Sequence, residues 1–216
     1  MDAGFQREMW ANGVGDDWFK RNKDMLGNRD MASEALQHLS FKPDDILEIG
    51  AANGWRLKKL KDQYSCNVRG IDISKEAIKN AVEGIDIDYG YAHDLPYKDS
   101  CCDVIIFGFC LCFISPEDWL PIVAESNRVL RDGGVIVIYD FMGTRFVKRA
   151  MKKIMADSKL EDRPVYLYNF DWPSLWTPHP GYKVIVELLD MNKAEAATIL
   201  QKNIGRLLDD DIRVLG

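Results

Sequence analysis

The sequence predicts an α/β fold in which helices cover both faces of a doubly wound, mostly parallel sheet. Two observations support this prediction. Between residues 45 and 141, short apolar runs alternate with segments whose apolar residues have helical spacing. A glycine-containing turn follows the first apolar run. Strands that alternate with helices form parallel sheets, and ligands bind at the edge where those strands end.

The elements of this central region follow one another in regular order. Five strands are predicted, at residues 45–50, 67–73, 85–91, 102–109 and 135–141. Helices are predicted between them, at residues 55–64, 75–82 and 116–129. Ser74 precedes the second of these helices, and we expect it to cap the helix because its hydroxyl can accept a free N–H of the first turn.

The two ends of the chain carry further predicted elements. Residues 16–39 have helical periodicity. Towards the C-terminus, helices are predicted at 144–156 and 192–208, and the last strands at 165–170 and 182–189. We predict one domain in three parts, namely an N-terminal helical cap (1–42), a ligand-binding core (43–141) and C-terminal strands with cap elements (142–216).

Composition and charge limit the classes of function. The chain has 216 residues, of which 29% are charged, and its net charge is −6. This balance argues against a nucleic-acid partner, because phosphate binding needs clustered Lys and Arg. No apolar run reaches the roughly 18 residues that span a bilayer, and residues 1–10 lack the pattern of a secretory signal. We therefore expect a cytoplasmic protein that binds neither nucleic acid nor membrane; a homodimer is left open.

Five cysteines raise the question of a metal site, and they are Cys66, Cys101, Cys102, Cys110 and Cys112. Zinc sites prefer paired Cys-x-x-Cys spacing on loops, and this sequence does not contain it. We therefore predict no metal, and expect reduced thiols that pack as small apolar groups.

The segment from Glu48 to Gly54 lies between the first predicted strand and its helix. Glycine lets the backbone turn sharply and approach a ligand closely. A dinucleotide fold would prefer a Gly-x-Gly-x-x-Gly loop, which holds a pyrophosphate at a helix N-terminus. Here the spacing is Gly-x-x-x-Gly, and a carboxylate stands two residues before Gly50. A cation without phosphate fits better, and S-adenosylmethionine, with its sulfonium and amino groups, is such a ligand.

This segment resembles the first motif of the class I, seven-stranded, S-adenosylmethionine-dependent methyltransferases of type 11 and type 25. The resemblance covers residues 44–141. It implies a seven-stranded Rossmann-like sheet, methyltransferase activity and S-adenosyl-L-methionine as cofactor. Because the sequence has neither a basic face for nucleic acid nor a base-modifying motif after the fourth strand, we expect a small-molecule acceptor. In that family the glycine loop wraps the methionine part of the cofactor, which assigns this role to Glu48, Gly50, Ala51, Asn53 and Gly54.

Asp72 ends the second predicted strand. A carboxylate at this place can accept both hydroxyls of a ribose. The resemblance assigns Asp72 that role, with Ile73 beside it. The alternative is a surface aspartate that stabilises the N-terminus of the following helix.

The segment from Tyr91 to Pro96 is similar to the family's loop after the third strand. By that match Ala92 and His93 border the adenine, while Phe107 and Gly108 approach the sulfonium. His93 is also a candidate base, and a hydrogen-bonded loop histidine is the alternative.

Residues 15–22, together with Trp10, are similar to the N-terminal segment of bacterial pseudaminic acid biosynthesis-associated methylases. That subgroup usually has tyrosine where Trp18 stands. The likeness implies a helix over the cofactor, with Trp18, Arg21 and Asn22 as candidate pocket residues. It also suggests a sugar or sugar nucleotide as the methyl acceptor.

The catalytic residue is open. A methyltransferase mainly aligns the acceptor with the reactive sulfonium, and a general base matters chiefly for a hydroxyl acceptor. His179, in a proline-rich loop, and Asp140, at the end of the fifth strand, are the candidates. A loop histidine and a strand-end cap are the alternatives.

Two other classes of function remain open. Asp72 would permit an NAD-dependent oxidoreductase, although the glycine spacing disfavours it. A non-catalytic domain that keeps the fold is the other, because fold alone does not prove activity. The aromatic stretch 166–182 suits either an acceptor pocket or ordinary packing of a cap.

Overall fold

The computed structural model describes residues 4–151 and 164–203. Its strands are β1 Asp45–Ile49, β2 Asn67–Asp72, β3 Ile87–Tyr89, β4 Cys102–Gly108, β5 Leu130–Phe141, β6 Val147–Ala150, β7 Tyr166–Asn169, β8 Tyr182–Asp190 and β9 Glu195–Lys202. Its α-helices are α1 Phe5–Met9, α2 Gly15–Asn22, α3 Met31–Leu36, α4 Trp55–Tyr64, α5 Lys75–Lys79 and α6 Trp119–Val129. A π-helical turn joins α1 to α2, and short 3-10 helices span Lys23–Met25, Leu111–Phe113, Pro116–Asp118 and Trp172–Leu175.

Seven strands form one sheet in the order β3-β2-β1-β4-β5-β9-β8. The first five run parallel, and β9 pairs antiparallel with both β5 and β8. The predicted seven-stranded, mostly parallel, Rossmann-like sheet is therefore confirmed. Because β1 and β4 are neighbours, the strand order reverses between them, and a crevice is expected at this point.

The core is divided between the two faces of the sheet because side chains alternate along each strand. Val104 and Ile106 of β4 belong to a cluster that packs under α3 and α4. Ile105 and Phe107 belong to a second cluster, which includes α6 and the aromatic C-terminal stretch. Both faces of the sheet are thus covered, as the near-continuous apolar runs predicted.

The N-terminal helix predicted over 16–39 is interrupted. α2 ends at Asn22, and α3 begins only at Met31. Gly27, between them, has φ of +86°, which a helix does not allow. Asp30 then starts α3, since its side chain accepts the N–H of Ser33 at 3.2 Å. Ser74 caps α5 as predicted, by accepting the N–H of Ala77 at 3.0 Å.

The two C-terminal helix predictions are wrong within the described residues. The segment predicted as a helix at 192–208 contains β9, which is hydrogen-bonded on both sides and largely buried. Tertiary pairing here overrides the helical preference of an alanine-rich sequence. The segment 144–156 contains β6, and its residues 152–156 lie outside the described part of the chain.

The remaining strand predictions had different outcomes. Residues 182–189 form β8 in the main sheet, as predicted. Residues 165–170 contain β7, but this strand pairs only with β6, in a separate two-stranded sheet.

Two chain-level observations complete the fold. Among the described residues, no helix has both the length and the apolar character that crossing a bilayer requires. The division into an N-terminal cap, a core and a C-terminal part stays a prediction.

Candidate active site

A cavity of about 600 Å³ lies at the edge of the sheet where β1, β2 and β4 end. The connections that follow β1, β2, β3 and β4 line it. The N-terminal segment, defined here as residues 4–26, also lines it through Arg7, Trp10 and Trp18. Small-molecule sites have volumes of roughly 300–1,000 Å³. The cavity therefore has the size of a ligand site and the position that the motifs predicted.

The turn after β1 requires glycine for two physical reasons. Gly50 and Gly54 have φ of +73° and +75°, in the left-handed region. A Cβ on Gly50 would also lie 2.6 Å from Cβ of Cys110. The N–H groups of Gly50 and Ala51 donate to the carbonyl of Ile71 at 2.9 and 3.1 Å. The loop backbone is thus held against β2 and forms part of the cavity wall.

Asp72, at the end of β2, is bound to the backbone on both sides of the cavity floor. Its carboxylate accepts the N–H of Ala52 at 2.7 Å and the N–H of Ser74 at 2.8 Å. Burial raises the pKa of Asp72 to about 6, although these N–H donors oppose the change. The backbone N–H of Ile73 also interacts with this carboxylate. A carboxylate has about four lone-pair sites, so the group can still accept a hydroxyl from a ligand.

Glu48 belongs to a buried network of charges at the cavity wall. It is 1% exposed and forms an ion pair with Arg56 in the first turn of α4. Nε of Arg56 also donates to Asp30 at 2.7 Å, and Lys59 donates to the other oxygen of Asp30 at 2.7 Å. Burial raises the pKa of Glu48 to about 7, while Arg56 lowers it. Two carboxylates and two cations therefore balance one another.

A second ion pair lines a different part of the cavity, next to the turn after β3. Arg7 of α1 pairs with Asp118, which is 5% exposed. His93 lies in the same part, with its ring 5.4 Å from that of Tyr91. Burial lowers the pKa of His93, and the nearby Arg7 cation adds to this effect. The imidazole is therefore held towards its neutral form.

Besides the ion pair of Arg7 with Asp118, hydrogen bonds of Gln6 and Asp16 fix the N-terminal segment across the cavity. Gln6 donates to the carbonyls of Phe113 and Tyr166 at 2.6 and 2.8 Å. Asp16 accepts the hydroxyl of Ser74 at 2.7 Å. The segment thus connects the start of α5 with β7 and the loop after β4.

Apolar side chains line the part of the cavity next to the ends of β4 and β5. The rings of Trp10 and Phe113 are 4.8 Å apart, and those of Phe109 and Phe141 are 5.1 Å apart. We call this part the apolar half, and its residues are Trp10, Phe109, Phe113, Phe141, Met151 and Leu167.

The structure brings most of the predicted cofactor residues to this one cavity. Those that line it are Trp18, Asn22, Glu48, Gly50, Ala51, Asp72, Ile73, Ala92, His93 and Gly108. Their spatial convergence agrees with a common ligand, and their individual roles stay predictions.

Arg21, Asn53, Gly54 and Phe107 do not belong to the cavity lining. Phe107 points into the core on one face of the sheet, where its ring lies 5.7 Å from that of Trp176. Gly54 packs against Ile85, so it shapes the turn without reaching the cavity. Nε of Arg21 donates to the carbonyl of Asp17 within α2. The structure therefore does not bring these four residues to the cavity wall, and their role in cofactor binding stays a prediction.

Neither candidate catalytic residue lines the cavity. Asp140 is 2% exposed and accepts the N–H of Phe141 at 2.8 Å and that of Cys112 at 3.2 Å. It therefore fixes the 3-10 helix that follows β4. His179 is exposed and precedes β8, whose first residue pairs with Lys202 at the edge where the parallel strands begin. Because β8 and β9 are an antiparallel pair, His179 lies at the edge opposite the cavity.

The aromatic side chains of residues 166–182 pack in the core and do not line the cavity. Their rings surround Trp119 of α6, with Phe170 at 5.0 Å and Trp172 at 5.4 Å. The members that do not line the cavity are Tyr166, Tyr168, Phe170, Trp172, Trp176 and Tyr182.

Sequence reasoning missed several residues that line the cavity, namely Arg7, Arg29, Arg56, Phe109 and Asp118. Arg56 stands in the strongly basic helix sequence WRLKKLKDQY, where a charged residue is normally solvated. Its burial depends on Glu48 and Asp30, which no local pattern connects to it. Phe109 follows directly on Gly108, so its position could have been inferred from the end of β4.

Among the described residues, no group of three or more His, Cys, Asp or Glu side chains is arranged to hold a metal ion. The five cysteines are free thiols, and burial raises the pKa of Cys110 and Cys112.

Comparison with known proteins agrees with this architecture. Residues 47–138 match a family described as a methyltransferase domain. An uncharacterized methyltransferase of Staphylococcus carnosus is 33% identical over 51% of this chain and 54% of its own length. Norajmaline N-methyltransferase of Rauvolfia serpentina is 30% identical over 51% of this chain and 42% of its own length. The chain thus spans about half the length of the first curated relatives that it matches.

A solved structure shares the fold over most of the chain. The 1,6-didemethyltoxoflavin-N1-methyltransferase of Burkholderia thailandensis, crystallised with 1,6-didemethyltoxoflavin and S-adenosylhomocysteine, aligns with a TM-score of 0.65. The alignment covers 93% of this chain and 88% of that one, at 14% identity.

The fold and the matched segment are similar to those of class I, S-adenosylmethionine-dependent methyltransferases, which this chain resembles over residues 47–138. The resemblance expected from the glycine loop is therefore confirmed over residues 47–138. Methyl transfer by this chain and S-adenosylmethionine as its cofactor stay predictions. The likeness to pseudaminic acid biosynthesis-associated methylases stays a prediction.

Proposed function

We propose that this chain methylates a small, planar, largely apolar acceptor, using S-adenosylmethionine held at the glycine loop and Asp72. The observation that supports the proposal is the continuity of one cavity. One part of the cavity is lined by the glycine loop and by the carboxylate of Asp72, and the other part is the apolar half.

The residues present fit the cofactor. Gly50 lies where a Cβ would meet Cys110 at 2.6 Å, and Gly108 lies where a Cβ would meet Arg56 at 2.3 Å. These two glycines let Cys110 and Arg56 pack into the cavity wall. Oε2 of Glu48 is buried without a partner among the described residues, so it can accept the cofactor's amino group. Asp72 would accept the ribose hydroxyls, and Ala92 and His93 would border the adenine. Trp18 would cover the nucleoside from the N-terminal segment.

When bound, S-adenosylmethionine supplies an electrophilic methyl group that a nucleophile attacks in line. The chain's own contribution is alignment and the exclusion of water. Phe109 and Phe141, at the ends of β4 and β5, would confine the acceptor in the apolar half. Cys110 and Tyr139 also line the cavity beside Phe109, and burial raises the pKa of both, so both are held in their protonated forms. We therefore propose an acceptor whose nucleophile needs no base there, such as an amine or ring nitrogen.

The apolar half supports a planar acceptor better than a sugar. Aromatic faces suit both kinds of ring. A sugar, however, also needs partners for its hydroxyls, because unpaired polar groups are costly to bury. In the described cavity wall, Arg7 is paired with Asp118 and Arg29 with Glu195. The pair of Arg56 and Glu48 lies at the glycine loop, where the cofactor is proposed to bind. The N-methyltransferases among the similar proteins agree with this choice.

Calorimetric titration tests the cofactor. We expect S-adenosylhomocysteine to bind and NAD to show no heat of binding. Tight binding of NAD without S-adenosylhomocysteine would overturn the proposal in favour of an oxidoreductase.

Transfer of tritium-labelled methyl groups tests the acceptor. The panel contains planar amines and nitrogen heterocycles, with free sugars and sugar nucleotides as the matched set. Label in the planar compounds is the expected result. If only the sugars become labelled, the proposed class of acceptor is wrong, but the proposed methyltransferase activity is supported. Binding of the cofactor with no transfer to any member would favour a non-catalytic domain.

A further inference from the structure

Arg56 is an unusual feature of the cavity wall, because it is a cation that is only 4% exposed. It stands in the first turn of α4, directly after the glycine loop. Its Nε–H is used by Asp30 and one Nη1–H by Glu48. An arginine has five N–H donors. Its Nη2 group makes no hydrogen bond to any residue of the described chain, so donors remain for a ligand.

The end of β4 is shaped around this guanidinium. A Cβ on Gly108 would lie 2.3 Å from Nη1 and 3.1 Å from Nη2 of Arg56. Only glycine at position 108 lets the guanidinium occupy this place at the cavity wall. Trp55 stacks on its other side, with Cζ of Arg56 4.5 Å from the ring centroid. The orientation of the cation is thus fixed by packing as well as by ion pairs.

Glu48 presents the opposite charge at the same point. Its Oε1 is taken by Arg56, while Oε2 has no hydrogen-bond partner within the described residues. The ion pair of Arg56 and Glu48 therefore keeps N–H donors and a carboxylate oxygen that no described residue uses. This arrangement is complementary to an amino acid in its zwitterionic form, which carries a carboxylate and an ammonium group on one carbon.

We propose that Arg56 binds the α-carboxylate of the cofactor's methionine end. A guanidinium can grip a carboxylate through two parallel hydrogen bonds. The inference rests on the proposed function, because it requires S-adenosylmethionine in this cavity. Arg29 also lines the cavity, but its side chain is 48% exposed and paired with Glu195, so solvent screens its charge.

The experiment compares two ligands that differ only in the amino-acid part. S-adenosylhomocysteine carries a 3-amino-3-carboxypropyl group on its sulfur, and 5′-methylthioadenosine has a methyl group in place of that whole group. Arg56→Gln alone would leave two buried carboxylates with too little positive charge. The test variant is therefore the charge-balanced double variant Glu48→Gln/Arg56→Gln, and Glu48→Gln alone is its reference.

We expect the second substitution to weaken binding of S-adenosylhomocysteine by about tenfold or more, the effect of losing a charged hydrogen bond. Binding of 5′-methylthioadenosine should hardly change between the two variants. The ratio of the two affinities does not depend on stability, because only folded protein binds either ligand. Lys59→Met is a control outside the cavity that also removes a partner of Asp30, and it should keep the wild-type ratio.

Equal losses for both ligands would mean that Arg56 only supports the fold, and the inference would be overturned. It would also be overturned if Arg29→Gln changes the ratio and the double variant does not. If the wild-type protein binds neither ligand, the proposed function fails instead. If the double variant does not fold, Arg56→Lys is tested instead, because lysine keeps the charge but lacks the two parallel N–H donors of a guanidinium. The affinity for S-adenosylhomocysteine relative to that for 5′-methylthioadenosine must then fall.

Discussion

The N–H of Ala52 donates to the carboxylate of Asp72 across 2.7 Å, so the glycine loop after β1 is tied directly to the end of β2. The two segments that the sequence motifs identified separately therefore form one unit. A ligand that binds Asp72 must lie against the loop backbone as well.

Replacement of Asp72 tests this unit. Asp72→Ala should weaken the binding of S-adenosylhomocysteine by about 1–3 kcal/mol, the cost of losing a charged acceptor. Isothermal calorimetry gives the value directly. Asp86→Ala, an exposed residue just before β3, is the control and should bind like the wild type. Unchanged affinity in Asp72→Ala would remove Asp72 from the cofactor site.

Ala52 itself carries backbone strain, since its φ is +51°. An L-residue in the left-handed region destabilises the folded state by roughly 1–2 kcal/mol, and glycine removes this cost. Glycine also stabilises the unfolded state by about 0.4–1 kcal/mol, because it increases the entropy of the unfolded chain. We therefore expect Ala52→Gly to raise the free energy of unfolding in urea by up to about 1 kcal/mol. Ala77→Gly, inside α5, should lower it by a similar amount. A loss of stability in Ala52→Gly would show that the loop gains nothing from glycine there.

The sequence was informative wherever the deciding physics is local. Gly50 and Gly54 can be recognised because few residues other than glycine adopt the left-handed conformation that this turn requires. Asp72 can be recognised because the end of the second strand has a defined position in this topology. The same reasoning located the parallel core correctly, since a strand buried on both faces is a continuous apolar run.

It failed where distant partners decide. β9 is a strand because β5 and β8 pair with its two edges, although its own alanines favour a helix. His179 was predicted near the site because the order of elements along the chain does not show at which edge of the sheet the loop before β8 lies. Arg56 was overlooked because its burial depends on Glu48 and Asp30, which lie 8 and 26 residues away in sequence.

Gly50 should be far less replaceable than another glycine with the same backbone conformation. Gly84 has a comparable φ of +76°, and no atom lies within 4 Å of a Cβ added there. Gly84→Ala should therefore lower the free energy of unfolding only by the cost of the left-handed backbone, about 1–2 kcal/mol. Gly50→Ala adds the 2.6 Å contact with Cys110, so its loss of unfolding free energy should be clearly larger. It should also lose binding of S-adenosylhomocysteine, which Gly84→Ala retains. Equal losses of stability with intact binding would show that the loop can move away from Cys110.

The structural role of Asp140 should be visible in the pH dependence of stability. Burial raises its pKa from 3.8 to about 7, so the folded protein favours the protonated carboxyl. Its stabilising effect is complete below the unfolded pKa and is lost as pH rises towards 7. Compared with Asp140→Asn, the wild type should therefore lose up to about 4 kcal/mol of unfolding free energy between pH 4 and pH 8. Urea unfolding at several pH values measures this difference, in which the effects of Glu48 and Asp72 cancel because both proteins contain them. Asp62→Asn, at an exposed position of α4, is the control and should follow the wild type at every pH. If Asp140→Asn shows no such difference but abolishes methyl transfer with cofactor binding intact, Asp140 takes part in the reaction and does not merely hold the loop after β4.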